Sequence, residues 1–173
     1  MYSRSPKAFM LFSNDESISS PEDLRGKTIA GPKGTNLHEL LAAYLNTAGM
    51  SMDEVNFVSM DIPSALAALE GGSVDAALQA GPSAYNCMKA GKHLVTHGDG
   101  LIAATILTAT SQKFYDENPA IIDAFVENQR QILRYIGDNT DEALATVAAA
   151  IDMEPEAVRE MFAMYDFSME TTQ

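Results

Sequence analysis

The residues with the clearest chemical potential lie between positions 31 and 41, where a glycine-rich turn opens into a helix. Thr35 and Asn36 are residue types that favour a helix start, and Lys33 beside them adds a positive charge. The N–H groups of a first helical turn lack partners within the helix and carry partial positive charge, so such a turn can bind a small anion. An ordinary strand-to-helix connection has the same pattern, and these residues alone leave both interpretations open.

Other reactive residue types lack the spacing that their chemistry requires. The segment 26–28 has the Gly-Lys-Thr of a phosphate-binding P-loop, but the motif's first glycine is missing. His93 and His97 are spaced like two zinc ligands on a helix, yet their surroundings predict a strand and no glutamate lies between them. Cys87 is the single cysteine, and the residues around Ser83 do not form a nucleophile elbow. We therefore expect no metal, no cofactor and no enzymatic activity.

The overall charge excludes one class of partners. Eleven Lys and Arg residues stand against 24 Asp and Glu residues, which gives a formal net charge of −13. Such a chain is repelled by nucleic acids and by anionic membranes. Its 173 residues, 46% of them apolar, suffice for a sizeable core, and no apolar run is long enough to span a bilayer.

Short apolar segments alternate with helices of about ten residues through the first hundred positions. Strands are predicted at 27–30, 55–60, 74–78 and 93–96, with helices near 36–48, 62–70 and 85–90 between them. This alternation predicts an α/β fold with a parallel sheet. Beyond residue 110 the pattern is helical, with apolar stripes of which one is interrupted at Gln129.

Three segments resemble a known family of binding proteins. Residues 20–35, SPEDLRGKTIAGPKGT, resemble a signature of extracytoplasmic solute-binding proteins, and ALAALEGGSVDAA at 65–77 and YDF at 165–167 fit the same group. This group is the nitrate, sulfonate, taurine and pyrimidine-precursor branch of the type II periplasmic binding proteins, which deliver ligands to ABC importers. The resemblance covers about residues 1–168.

The resemblance implies two α/β lobes with a ligand cleft between them. It predicts a complete lobe with a mostly parallel sheet at 13–100, and a remnant of the other lobe with a first hinge strand at 1–12. A second hinge strand would lie at 101–110, and the helices at 111–173 would return to the other lobe. The chain then looks truncated at its N-terminus, without a signal sequence. We expect the exposed helical stripes of such a fragment to pack against a second copy.

The same resemblance implies where a ligand would bind. The predicted ligand-binding residues lie in the turns that follow the first and third strands of the lobe: Lys33, Gly34, Thr35, Asn36, Gly81, Ser83 and Tyr85. Peptide N–H groups and the Thr35 hydroxyl would donate hydrogen bonds to an anion. Ser83 would add a donor, and Tyr85 would pack against the organic part of the ligand.

The implied function is the capture of a small anionic or heterocyclic nutrient of the sulfonate, taurine, nitrate or pyrimidine-precursor class. The expected partners are this ligand and the membrane permease of an ABC transporter, in the periplasm or another extracytoplasmic space, with a membrane-anchored lipoprotein as one full-length form. Two alternatives share the two-lobed fold. One is the effector domain of a transcription regulator, and the other is an enzyme of pyrimidine-precursor synthesis that would rely on Cys87 and His38.

Overall fold

The computed structural model describes residues 2–166, which belong to two compact units. The sheet unit is Ser5–Ala104, and the helical unit contains the residues up to Arg4 and from Thr105 onward. The described strands are β1 (Tyr2–Arg4), β2 (Phe9–Ser13), β3 (Thr28–Gly31), β4 (Asn56–Ser59), β5 (Ala76–Ala80), β6 (His93–His97) and β7 (Thr105–Leu107). The described helices are α1 (Asn36–Asn46), α2 (Ile62–Glu70), α3 (Gly81–Lys89), α4 (Gln112–Glu117), α5 (Pro119–Asp138), α6 (Thr140–Ile151) and α7 (Pro155–Phe162).

The sheet unit contains a five-stranded sheet in the order β4-β3-β5-β2-β6. Strand β3 pairs in parallel with β4 and β5, whereas β2 runs antiparallel to β5 and β6. Four strands therefore point in one direction, and β2 alone among the five is reversed. The predicted α/β fold with a mostly parallel sheet is confirmed.

Helix α1 covers one face of this sheet because its leucines recur every three or four positions. The buried residues that join α1 to β2, β3 and β5 form the main core: Leu37, Leu40, Leu41, Leu45, Leu11, Ile29 and Leu78. Each fully buried leucine stabilises the fold by about 1.5–3 kcal/mol. This packing holds the start of α1 just beyond the end of β3.

Helices α2 and α3 cover the opposite face. The chain moves from β3 to β4 in one direction along the sheet and from β4 to β5 in the other, so right-handed crossovers place α1 and α2 on opposite sides. The connection from β5 to β6 through α3 follows the second direction, and α2 and α3 contact each other. Because side chains alternate along a strand, Ala77 and Gln79 of β5 face these two helices while Leu78 faces α1.

Two boundaries predicted from sequence are wrong, each for a local reason. Strand β5 begins two residues later than predicted, because Asp75 turns toward β3 and its carboxylate accepts a hydrogen bond from Thr28 N–H at 2.7 Å. The segment 81–83, predicted as a turn, is the first turn of α3. Pro82 favours that position, where a helix needs no N–H donor.

The predicted hinge strands stay a prediction. Residues 9–12 form most of β2, which is hydrogen-bonded to strands on both sides and whose Leu11 and Phe12 are fully buried. The chain passes from one unit to the other after Arg4 and after Ala104.

In the helical unit, β1 pairs antiparallel with β7, and α6 packs against α7 through small and apolar residues. The buried residues of that helix pair are Ala143, Leu144, Ala148, Ala157, Val158 and Met161. Helix α5 differs, since none of its residues 119–138, all of them described, is buried.

Of the YDF segment, Phe167 lies outside the described residues. Among residues 2–166, no helix combines the length and apolar character needed to cross a membrane.

Candidate ligand-binding site

The strand order creates a crevice at one edge of the sheet. After β3 the chain turns toward β4, whereas after β5 it turns the other way, through α3 toward β6. Neighbouring parallel strands whose connections leave in opposite directions form a topological switch point, and ligands of open α/β sheets bind outside the carboxyl ends of such strands. Here the two turns that flank the switch point are those that begin α1 and α3.

The start of α1 presents peptide N–H groups. Gly34 adopts a left-handed conformation with φ of +76°, which lets the chain turn sharply from β3 into the helix. In the structure of residues 2–166, the Thr35 side chain makes no capping bond and its hydroxyl donates instead to the Pro32 carbonyl at 2.9 Å. The first-turn N–H groups of α1 are therefore left without the side-chain oxygen that usually covers them.

Two of the predicted donors are already engaged. The hydroxyl proton of Thr35 is directed at Pro32, and the Gly34 N–H donates to Nδ1 of His38 at 3.3 Å. The N–H groups of Thr35, which precedes the helix, and of Asn36, its first residue, are donors that remain suited to an anion. Lys33 is exposed beside them and supplies the nearby positive charge.

His38 is a member of this site whose position the sequence did not reveal. Its ring lies 4.7 Å from the ring of Phe57 on β4, measured between centroids, and is half-buried. Because Nδ1 accepts a hydrogen bond from Gly34, the proton of the neutral ring lies on Nε2, which is then a donor. The sequence feature that could have identified this role is the position of His38, four residues after Gly34 in the turn.

The start of α3 is also without a capping side chain. The residue before it is Ala80, which has no polar atom to offer, and Gly81 adopts φ of +58°. Pro82 has no N–H, so the N–H groups of this first turn are those of Gly81, Ser83 and the residues after it. Ser83 is half-buried, and its predicted role as a donor to the ligand stays a prediction.

Tyr85 lies further along α3. The Lys89 ammonium is 5.4 Å from the centroid of its ring, a cation–π geometry one turn away from the helix start. The ring is half-buried, and its predicted contact with a ligand stays a prediction.

The third helix start at this edge, that of α2, is capped by a negatively charged side chain. Asp61 caps α2, with its carboxylate accepting from the Ser64 N–H at 2.8 Å. The hydrogen bonds from the Ser64 hydroxyl and N–H lower the pKa of Asp61, so this position carries a stable negative charge. An anion is thus favoured at α1 and α3, which flank the switch point, and disfavoured at α2.

Gln79 lies beneath this edge and has an unusual environment. It is fully buried near the end of β5, and its Nε2 donates to the Ile62 carbonyl at the start of α2 at 3.4 Å. Among the described residues its Oε1 has no hydrogen-bond partner. A buried acceptor without a partner costs about 1–3 kcal/mol. The sequence pattern of an apolar strand gave no sign of this role.

The other reactive residues are not assembled into a catalytic group. Burial raises the pKa of the Cys87 thiol to about 11, which keeps it protonated and unreactive near neutral pH. His93 binds the Ile18 carbonyl through Nε2, and His97 Nδ1 accepts from the Asp99 N–H. Across residues 2–166 no three His, Cys, Asp or Glu side chains are grouped to hold a metal ion.

A groove of about 420 Å³ lies elsewhere in the sheet unit, between α1 and the edge strand β6. Its lining includes Tyr44 and Thr47 at the far end of α1, together with Thr96, His97 and Asp99. None of the predicted ligand-binding residues lines it. It is therefore distinct from the helix starts at the switch point.

Comparison with known proteins identifies the family. Residues 1–143 match the family described as NMT1/THI5 like. The chain belongs to the NMT1/THI5-like family. This match, together with the relatives described next, confirms the resemblance to periplasmic binding proteins seen in the sequence.

Relatives and solved structures are consistent with this membership. The chain is 28% identical over 82% of its length to a putative ABC transporter periplasmic binding protein of Brachyspira hyodysenteriae, and 31% identical over 65% of its length to the taurine-binding periplasmic protein of Escherichia coli. It spans only 37% and 36% of these two relatives. The fold matches that of the alkanesulfonate-binding protein SsuA from Xanthomonas axonopodis bound to MOPS, with a TM-score of 0.82 at 23% identity, over 95% of this chain and 58% of that one.

The fold is also shared with an enzyme. The desulfurization enzyme DSZB matches with a TM-score of 0.67 at 16% identity, over 91% of this chain and 60% of that one. The two sequence relatives above are named as binding proteins, so the fold alone does not separate binding from catalysis.

Proposed function

We propose that this chain supplies one side of the ligand site in the solute-binding component of an ABC importer. The ligand is a small anion or an anion-bearing heterocycle of the sulfonate, taurine, nitrate or pyrimidine-precursor class. The observation that carries the proposal is the contrast among the three helix starts at the carboxyl edge: α1 and α3 flank the switch point without a capping side chain, and α2 is capped by a carboxylate.

The chemistry of the residues supports binding rather than catalysis. The N–H groups of Thr35 and Asn36, with Lys33 nearby, form a donor set that binds an anion without transferring a proton. The thiol of Cys87 is buried with a raised pKa, so it is a poor nucleophile. We therefore propose no enzymatic role.

The names of two relatives support a proposal for the partner and the location. The two relatives described above are named as periplasmic proteins and, in one case, as part of an ABC transporter. We propose that the protein acts outside the cytoplasm and transfers its ligand to a membrane permease. Since the chain spans little more than a third of these relatives, we expect the chain alone to bind ligand far more weakly than a protein with both lobes.

Nuclear magnetic resonance detects weak binding and locates it in one experiment. Backbone amide spectra of the chain are recorded while taurine, an alkanesulfonate, nitrate or orotate is added to millimolar concentration. We expect shifts concentrated in the amides of 34–37 and 83–85, with the α2 amides of Ile62, Ser64 and Ala65 as an internal control that does not respond. Equal shifts at all three helix starts would indicate a general ionic-strength effect and would refute the site. Shifts confined to the groove beside β6 would relocate it.

A further inference from the structure

His38 occupies a helix position at which this chain elsewhere has a carboxylate. It is the third residue of α1, and its Nδ1 accepts the Gly34 N–H at 3.3 Å. In two 3-10 turns of the sheet unit the third residue is Asp23 or Glu54, and each carboxylate accepts the N–H of the serine before its turn, at 2.8 and 2.9 Å. A side-chain acceptor at this position stabilises the start of a helix. Of these three acceptors, His38 is the one that can exchange a neutral form for a positive charge.

The ring of His38 is held in place beside the turn. It is half-buried, and its centroid lies 4.7 Å from that of Phe57 on β4, which packs against the main core. In the neutral ring, Nδ1 accepts from Gly34 and Nε2 carries the proton. In the protonated ring both nitrogens are donors, so the Gly34 N–H loses this acceptor. Protonation therefore releases a peptide N–H next to those of Thr35 and Asn36, and it adds a positive charge beside them.

The charged groups on the elements that hold the ring set the balance for its protonation. The turn contributes Lys33, and α1 contributes Glu39 in its first turn. Strand β4 has no ionisable side chain, and Asp61, just beyond it, caps α2 on the opposite face of the sheet. Lys33 and the partial positive charge of the helix start oppose protonation while the site is empty. An anion bound at the helix start reverses this balance, because it attracts the protonated ring.

We propose that His38 couples anion binding at the α1 start to the uptake of a proton. The proton comes from solvent and is bound at Nδ1, so the ring is neutral in the empty site and protonated beside a bound anion. Affinity for the anion then rises as pH falls through the range in which histidine changes its charge, about pH 8 to 5. The inference rests on the proposed function, since it places the anion at the N–H groups of Thr35 and Asn36. A carboxylate at position 38 would instead repel an anion throughout this range.

The first test is the pH dependence of anion affinity. Methanesulfonate is the probe because its charge does not change across this range. The amide signals of Thr35 and Asn36 report its binding at about pH 5.5 and about pH 8, on either side of the histidine transition. A full positive charge beside an anion at a solvent-exposed site corresponds to about a 5- to 30-fold change in affinity. The chain should therefore bind methanesulfonate more tightly by that factor at the lower pH.

Two glutamine variants separate the proton from the hydrogen bond. His38→Gln keeps an acceptor for the Gly34 N–H, since glutamine is favoured at this helix position, but it cannot gain a charge. Its affinity should equal that of the wild-type chain at the higher pH and should not change with pH. His97→Gln is the matched control, because β6 lies at the sheet edge opposite to β4, and it should keep the full pH dependence. Urea unfolding at both pH values verifies that each variant is folded.

The second test uses the wild-type chain and needs no variant. If a proton strengthens anion binding, the anion must strengthen proton binding by the same factor. Methanesulfonate added at a pH in the middle of the histidine range should therefore move the His38 ring signals toward those of the protonated ring. The ring signals of His93 and His97, both on β6, are internal controls and should stay in place.

The ways in which this coupling could fail are distinguishable from failure of the site. If the Thr35 and Asn36 amides report the same affinity at both pH values and the His38 ring signals do not move, the anion site stands and its coupling to a proton is refuted. If no amide of the α1 start responds at either pH, the proposed function is refuted and the coupling with it. Equal movement of the ring signals of all three histidines would show a general effect of salt and would also overturn the coupling.

Discussion

The substitution Thr35→Asp should separate the stability of α1 from its ability to bind an anion. Thr35 precedes the helix but does not cap it, whereas Asp61 in the equivalent place before α2 does. An aspartate at position 35 can accept from the first-turn N–H groups, as Asp61 accepts from Ser64 at 2.8 Å. It then occupies the donors that a ligand would use and adds a negative charge beside them.

The expected change in stability is small. A new cap stabilises a helix by about 1 kcal/mol, and a negative charge at the helix start adds about 0.3–1 kcal/mol. Loss of the hydrogen bond from the Thr35 hydroxyl to Pro32 costs about 1 kcal/mol. The free energy of unfolding should therefore stay unchanged or rise by up to about 1 kcal/mol.

The expected change in binding is large by comparison. Two like charges about 4 Å apart repel by about 1 kcal/mol in water and about 4 kcal/mol near a protein surface. Position 35 is exposed, so the lower part of this range applies, and about 1–2 kcal/mol corresponds to a 5- to 30-fold weaker affinity. Loss of the N–H donors to the new cap adds to this effect.

The assay is the amide titration of the chain, accompanied by urea unfolding of each variant. Thr35→Asn is the matched variant that caps without charge, and it should weaken binding less than Thr35→Asp. Ser51→Asp adds the same charge before the 3-10 turn Met52–Glu54, ahead of β4, and should leave binding unchanged. If Thr35→Asp retains wild-type anion affinity while remaining folded, the assignment of the ligand to the α1 start is refuted.

Three further changes test the packing around the site. Gln79→Met removes the buried oxygen that has no partner among the described residues, and should raise the free energy of unfolding by about 1 kcal/mol; a loss of stability would show that the oxygen is satisfied. Gly31→Ala places a methyl group 2.8 Å from Leu78 and should cost about 1–3 kcal/mol in urea unfolding, whereas Gly137→Ala, with open space around it in α5, should stabilise by about 0.5–1 kcal/mol. The folded-state pKa of Asp61 is lowered, so its contribution is present above the unfolded pKa of about 3.9 and is lost as pH falls through the folded value. Asp61→Asn should flatten this acid limb of the stability profile, and an unchanged limb would contradict the capping role.

Much of the fold was predictable because it rests on local patterns. The leucine spacing of α1, the glycine turn after β3 and the alternation of strands and helices each depend on neighbours in sequence, and the structure contains all of them. The first turn of α3 was missed because Gly-Pro-Ser is equally typical of a loop. Whether Pro82 opens a helix depends on how the following residues pack, and that is decided by tertiary contacts.

The composition of the site could be predicted only in part. The turns after β3 and β5 were identified, but their adjacency depends on the strand order, which distant pairings determine. The bonds from Thr35 to Pro32 and from Gly34 to His38 reduce the predicted donors to a smaller set, and no sequence pattern specifies those geometries. The sequence also did not predict the unpaired buried oxygen of Gln79, since a single amide side chain in an apolar strand produces no periodic pattern.

The net charge of −13 opposes the proposed binding of an anion, yet most of this charge lies outside the candidate site. Of that charge, −9 belongs to residues 111–173, and −4 to the first 110 residues, which include the candidate site. Solvent-exposed charges are screened beyond about 8 Å at physiological ionic strength, whereas peptide N–H groups act at hydrogen-bond distance. We therefore expect the position of an anion at this edge to depend on which helix starts are left without a capping side chain. The negative charge of the Asp61 cap should disfavour an anion at α2, so we expect Asp61 to affect where an anion binds as well as how stable the helix is.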